Sequence, residues 1–249
     1  PEVGEGRPDV AAPCFDPKRP LGEHLSELRS RLIRVLAAGS AGALVGLCLV
    51  GPVFRLLVRP YARVAGTQAL LHGRDPWTSL GILAKVALGT AFAAALPVLV
   101  LEGVRFLAPG LREAERRLLR VAAILGSGLF AAGVGFGYVF LVPAALRFSL
   151  WLEARLGLKH VWFADATLSF ILPILLVCGI CFELPMVMGL LARAGILRAR
   201  HLQGRWRHAT VGAFLLAAFL TPPDLASQII LGTVLLLLYG AGCWMVRKM

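Results

Sequence analysis

Acid is scarce in this sequence. Its 249 residues include 14 Asp or Glu against 26 Lys or Arg, a formal net charge of +12. Charged residues of both signs make up 16% of the chain, where soluble domains carry about 25%. That shortage excludes an ordinary solvated globule. Cysteine is sparse as well: Cys14, Cys48, Cys178, Cys181 and Cys243 are the whole complement, and no disulfide is expected. Cys178-Gly-Ile-Cys181 has the C-x-x-C spacing. It lies inside an apolar run with no second pair and no neighbouring His, so its cysteines read as small packing residues. No G-x-x-x-x-G-K-[ST] phosphate loop occurs, which removes the common nucleotide site. No Ser/His or His/Glu pair shares an apolar segment, which argues against an intramembrane enzyme. Neither a metal nor another cofactor is expected.

Apolar sequence is what the chain has in abundance. Its hydrophobic fraction is 58% and its mean hydropathy +0.76. The apolar residues come in long blocks, which read as transmembrane helices. Six segments run roughly over 33–54, 84–104, 121–143, 168–191, 209–221 and 227–246. The expected fold is an all-α integral membrane protein with six transmembrane helices. Residues 1–20 are polar and Pro-rich. They read as a flexible cytoplasmic tail, not a cleavable leader, and 21–249 as a single six-helix membrane domain. The fifth segment holds 12 residues from Ala209 to Leu220 before Thr221-Pro222-Pro223-Asp224 stops it. At about 18 Å it falls short of a hydrocarbon core of about 30 Å. The last two helices are therefore expected to be short.

Basic residues sort by side. In a soluble protein their surplus would suggest nucleic acid, but here no nucleic acid is expected. The N-terminal region, the 105–120 and 192–208 loops and the C-terminal end together hold 18 Lys or Arg, against 8 on the other side, seven in the 55–83 and 144–167 loops plus Lys85. The positive-inside rule places both termini in the cytoplasm and those two loops outside. Before the first span, PLGEHLSELRSRL (20–32) puts Leu21, Leu25, Leu28 and Leu32 at helical spacing, so a short amphipathic helix on the membrane surface is expected. Within it, Glu27 and Arg31 are four residues apart and suited to a helical ion pair.

Acids inside or near the apolar blocks are the candidate functional groups. Glu183 sits in LLVCGICFELPMVMGLL (175–191). A carboxylate at that depth is costly and normally faces a bundle interior or a wet cavity. We expect it on a concave, partly hydrated face, with Pro173 and Pro185 bending the helix around it. Asp224 follows two prolines, where it can cap the last helix. On these residues alone, one reading is a proton- or ion-coupled small-solute transporter with Glu183 as the coupling acid, although no internal repeat is visible between the halves.

Five stretches carry a resemblance. HLSELRSRL (24–32), FLAPGLREAERR (106–117), GFGYVFLVPAALRF (135–148), FELP (182–185) and LTPPDLASQ (220–228) resemble, in order, motifs of the TatC family, the multi-spanning receptor subunits of the twin-arginine protein translocase. The resemblance implies a signal-peptide receptor and core translocase subunit in the bacterial cytoplasmic (inner) membrane. It would export folded proteins with twin-arginine signal peptides, driven by the proton-motive force. It would work with the single-span subunits TatB and TatA, surrounded by lipid bilayer and self-associating within the translocase. Carried over residue by residue, Glu27 and Arg29 match the amphipathic-helix motif, and Phe106, Pro109, Leu111, Glu115, Arg116 and Arg117 the first-loop motif. Pro60 matches a proline of the first outward loop, Glu183 the fourth-span glutamate, and Asp224 with Gln228 the polar pair of the last outer link. Glu115 and Glu27 are expected to hold the two arginines of the signal peptide, Arg29 to order that site and Arg116 and Arg117 to position Glu115. Phe106 and Leu111 are the apolar neighbours, Glu183 the contact for a partner's membrane helix, and Pro60, Pro109, Asp224 and Gln228 structural or partner contacts. The chain departs from the family pattern at Val234 and Gly240, and it has Glu102 where the family often has Gln or another polar residue.

Overall fold

The computed structural model describes residues 21–66, 71–107, 116–158, 161–193, 197, 204, 206–221 and 224–247, with the backbone path alone for 21–25, 104–107, 116–123 and 193. The expected tail, 1–20, lies outside them. The described chain is helical apart from one pair of two-residue strands. Helix α1 spans Leu21–Cys48, so the expected surface helix and the first apolar segment form one rod. It ends at Leu49, where φ −110° and ψ 25° break the helical path.

α2, Val50–Ala65, begins at once. From residue 55 the charge pattern predicts an outward loop. Instead, Leu57, Pro60 and Tyr61 turn inward while Arg55, Arg59 and Arg63 stay exposed, a stripe at helical spacing that favours an amphipathic helix. Gly66 stops it at φ 61°, a left-handed conformation that glycine adopts without a Cβ penalty.

Strand β1, Leu71–His72, pairs in parallel with β2, Trp162–Phe163. α3 covers Thr78–Leu107, about 45 Å at 1.5 Å per residue. Thr78 Oγ1 accepts the Arg74 and Asp75 backbone N–H groups at 3.0 and 3.1 Å and so locks the entry to that helix. α4, Arg116–Phe136, runs through a π-helical turn at Gly137–Leu141 into α5, Val142–Arg155. Pro143 cannot donate a backbone hydrogen bond, and the wider turn relieves its ring against the preceding carbonyls. The third segment thus continues well past residue 143, into the 144–167 stretch expected as an outward loop.

α6, Ala164–Phe182, and α7, Leu184–Arg193, are two halves of one apolar run, broken at Glu183. Pro185 accounts for the break: it removes the donor that would bond the Cys181 carbonyl. Glu183 N–H bonds Ile180 O at 3.1 Å in a tightened turn instead. α8, Trp206–Leu220, has 15 residues and α9, Leu225–Arg247, has 23.

Among the described residues, five helical stretches are long and apolar enough to cross a bilayer: Ser26–Cys48, Thr78–Gly103, Ile124–Arg155, Ala164–Ala192 and Leu225–Arg247. α8, at about 22 Å, is short, but α9, at about 35 Å, is not; this corrects the expectation of two short final helices, since the run after Asp224 stays apolar as far as Arg247. α1 packs along α3, α4 along α6, and α9 along α7 and α8. Val86, Leu141, Leu146, Leu168, Ile171 and Leu231 are fully enclosed, whereas Leu36, Leu44, Ile124, Phe219 and Leu237 are exposed on the rim. Apolar outside as well as inside, the helices form a multi-pass membrane protein.

Candidate functional site

At the end of the bundle where α1 starts and α3 finishes, four charged side chains among the described residues form one network. Arg31 Nη2 donates to Glu27 Oε1 along α1. The same guanidinium crosses to α3, where Nη1 donates to the Glu102 carbonyl oxygen at 2.9 Å and lies 3.5 Å from Glu102 Oε2. Arg34 Nη1 donates to Glu102 Oε1 at 2.6 Å. Glu102 is 5% exposed, so its charge needs these partners: a buried carboxylate left without them costs several kcal/mol, on the order of 3–5. Glu27 is more open, with 33% of its side chain accessible.

This network pins the start of α1 to the root of the loop that follows α3. Of the residues expected on that loop, Pro109, Leu111 and Glu115 lie outside the described residues. Phe106 falls in the last turn of α3, and Arg116 and Arg117 open α4. Arg29 is exposed and makes no hydrogen bond among the described residues. Arg31, one turn from Glu27, is turned toward α3. Arg31, Arg34 and Glu102 were not among the expected site residues. The traces available were the i,i+4 spacing of Glu27 with Arg31 and a solitary acid at the end of an apolar segment. Their meeting across 68 and 71 positions left no local mark.

A second polar centre lies mid-bundle. Glu183 is 2% exposed, and neither carboxylate oxygen has a hydrogen-bond partner among the described residues. The acid is therefore enclosed, where a concave, partly hydrated face was expected. α4 closes over the acid at Gly126, where an added Cβ would sit 2.7 Å from Met186 Sδ and 3.3 Å from Glu183 Oε2. Small residues bring the helices close enough to enclose it. Chemically it is a buried acceptor with no donor among the described residues, a costly state that usually marks function.

The opposite end of the bundle carries an ordered cap. Pro60 and Tyr61 are buried, and the Tyr61 ring stacks on Trp162 at 5.1 Å between centroids. Trp162 Nε1–H donates to Glu153 Oε1 at 3.0 Å, and Tyr138 O–H donates to the Leu56 carbonyl at 2.7 Å. Burial, with a smaller contribution from the Glu153 carboxylate, pushes the Tyr61 phenol above its usual range. Pro60 therefore belongs to the packing that seats α2. Asp224 caps α9: its Oδ2 accepts the Ser227 N–H at 2.6 Å and its carbonyl the Gln228 N–H at 3.2 Å. Gln228 is half-buried in the first turn of α9. Among the described residues no His, Cys, Asp and Glu group has the makings of a metal site.

Known proteins resemble the chain over most of its length. Residues 23–233 match the family "Sec-independent protein translocase protein (TatC)". A Sec-independent protein translocase protein TatC of Synechocystis is 32% identical, over 92% of this chain and 89% of its own length. One from Aquifex aeolicus is 34% identical, over 88% and 91%. A chloroplastic relative from Arabidopsis thaliana is 33% identical, over 93% and 67%. A crystal structure described as a twin-arginine translocase receptor, TatC, superposes with a TM-score of 0.74 at 30% identity, covering 90% of this chain and 98% of that one.

Proposed function

The chain belongs to the TatC family of Sec-independent protein translocase proteins, and we propose that it is the signal-peptide receptor and core subunit of a twin-arginine translocase. In this reading it crosses the bacterial inner membrane six times, with α8 as the short fifth span and both termini in the cytoplasm. The basic N-terminal region and the loops after α3 and α7 form the cytoplasmic rim. The observation that carries the reading is the network of Glu27, Arg31, Glu102 and Arg34. It sets a partly open carboxylate beside the root of the loop that holds Glu115.

The chemistry follows from the ligand. A twin-arginine peptide presents two planar, permanently charged guanidinium groups, each able to bond a carboxylate through two parallel N–H donors. A rim of basic residues repels such a peptide unless acids stand within it. Glu27 takes one guanidinium and Glu115 the other, while Phe106 and Leu111 meet the apolar stretch behind them. Arg116 and Arg117 position Glu115. Glu183, deeper in the bundle, accepts a hydrogen bond from a polar group on a partner's membrane helix, from TatA or TatB. Gln228 and Asp224 mark the outer link. Transport of the folded cargo draws on the proton-motive force.

The test is a titration in lipid nanodiscs. A fluorescent twin-arginine signal peptide should bind, and the same peptide with both arginines changed to glutamine should bind at least about tenfold more weakly, since each charge-assisted bond contributes about 1.5–3 kcal/mol. Equal affinities refute the reading.

A further inference from the structure

Three arginines stand on the open face of α2. Arg55, Arg59 and Arg63 are exposed, each about 6 Å further along the helix than the last. None makes a hydrogen bond or ion pair among the described residues. The acids at this end of the bundle are engaged elsewhere. Asp75 accepts from Thr78 Oγ1 at 3.1 Å, Asp165 faces Lys85 at 3.9 Å, Glu153 accepts from Trp162, and Asp224 caps α9. Three neighbouring cations are thus left without an anion among the described residues. Their level in the membrane follows from the packing of α2. Val53 and Leu57 share a small cavity with Gly89 and Leu172, at the depth of the spans, whereas Tyr61 stacks on Trp162 just before α6 begins. α2 therefore climbs along α6 towards the end of the bundle. Counted from Arg34, the last charged side chain of α1, a hydrocarbon core of about 30 Å takes about 20 residues and ends near residue 54. Arg55 comes next. Trp77 and Trp151 are exposed at the same end, as aromatic side chains at headgroup level commonly are.

We propose that Arg55, Arg59 and Arg63 form a binding ladder for the phosphates of anionic phospholipids. A guanidinium presents paired N–H donors that match a phosphate. Arg55, at the edge of the hydrocarbon, is costly unless an anion meets it, and a headgroup phosphate is the anion the bilayer supplies at that level. Arg59 and Arg63 continue the ladder through the headgroup layer. A zwitterionic lipid brings a cation along with its phosphate, so three arginines without acid partners select lipids of net negative charge. Leu56 is exposed beside the stripe and meets the upper acyl chain of the same lipids. Bound lipid then holds α2 from outside, as Tyr61 and Trp162 hold it from within. The orientation proposed above decides only which leaflet supplies the lipid. A nanodisc offers the same lipids in both leaflets, so the test stands apart from the receptor reading.

The test reads lipid at the ladder itself. In a full chain carrying Cys14→Ser and Cys48→Ser, Ala62→Cys puts a fluorophore on the exposed face between Arg59 and Arg63, the remaining thiols being buried. The protein is placed in phosphatidylcholine nanodiscs with a small share of nitroxide-labelled phosphatidylglycerol, or of phosphatidylcholine with the same label. Each arginine engaged should favour the anionic lipid about fivefold, so phosphatidylglycerol should quench at a mole fraction at least about tenfold lower. Arg55→Gln, Arg59→Gln and Arg63→Gln together should bring the two lipids within about twofold of each other. The corresponding lysine variant, which keeps charge but loses the paired donors, should fall between. Inorganic phosphate at about 10 mM, a concentration that screens exposed charges little, should leave the preference intact. Relief of quenching by free phosphate would assign the site to a soluble anion and overturn the proposal. Equal quenching by the two lipids in the parent protein overturns it too, as does a preference that survives loss of all three arginines. Should the triple glutamine variant fail to fold, Arg59→Gln alone decides: it should lower the preference about fivefold, and no change refutes the ladder.

Discussion

Gly133→Ala adds one methyl group where α4 crosses α6. A Cβ at that position would lie 2.5 Å from the Cys178 carbonyl oxygen, 2.8 Å from Phe182 Cβ and 2.9 Å from Gly179 Cα. All three atoms belong to the backbone or adjoin it, so none swings aside. Carbon atoms sit comfortably at about 3.5–4.0 Å, so the helices must part by about 1 Å, and a gap of that size forfeits a quarter to a half of each dispersion contact. Overpacking of this kind costs about 1–3 kcal/mol. Ala in place of Gly returns about 0.8–1.0 kcal/mol of helix propensity, so a net loss of up to about 2 kcal/mol is expected. Two controls frame the result. Gly135→Ala meets nothing within 4 Å and should gain up to about 1 kcal/mol. Gly89→Ala meets the mobile tip of Leu172 at 2.8 Å and should fall between. The assay is thermal unfolding in detergent, followed by labelling of the buried Cys178 and Cys181 thiols. A Gly133→Ala protein as stable as Gly135→Ala would refute this account of the α4–α6 contact.

Other substitutions test the remaining parts. Asp224→Ala should destabilise by about 1–2 kcal/mol through loss of the α9 cap, and Asp224→Asn by less, in the same unfolding assay. Glu183→Leu removes a buried acceptor that has no donor among the described residues. The isolated protein should become more stable by about 1–3 kcal/mol while export in a membrane-vesicle assay falls; earlier unfolding would show that Glu183 is held by interactions of its own. Stability should also decline as pH rises past about 10. The Tyr61 phenol is held above its usual range, so the folded state keeps its proton while the unfolded chain releases it, and raising the pH draws the chain toward the unfolded form. Tyr61→Phe should flatten that decline; an unchanged slope would assign it elsewhere.

Apolar runs revealed the helical membrane fold because burial in lipid leaves an unmistakable compositional trace. Asp224 was readable as a cap because its signal is local: a short acid, two prolines, then a helix. Three features were masked by competing signals. α2 carries Arg55, Arg59 and Pro60 among its apolar residues, which reads as a basic loop until the spacing of Leu57 and Tyr61 is seen to face one core. The extension of the third segment through the π turn was hidden by Pro143, which usually ends a helix. The burial of Glu183 depends on Gly126 in another helix, and a glycine in a hydrophobic run says nothing about which acid it will face. The ion network shows the same limit most clearly, because Glu27 and Arg31 are neighbours in sequence while Glu102 joins them only through the packing of α1 on α3.

Site-specific photocrosslinking tests the central claim most directly. A twin-arginine signal peptide with a photoreactive residue beside its arginines should crosslink to the 106–117 loop of the wild-type protein in membranes. Glu115→Gln, which keeps size and removes charge, should abolish most of that product, and Glu27→Gln should reduce it. Undiminished crosslinking in Glu115→Gln would contradict the claim that acids set in a basic rim capture the guanidinium pair.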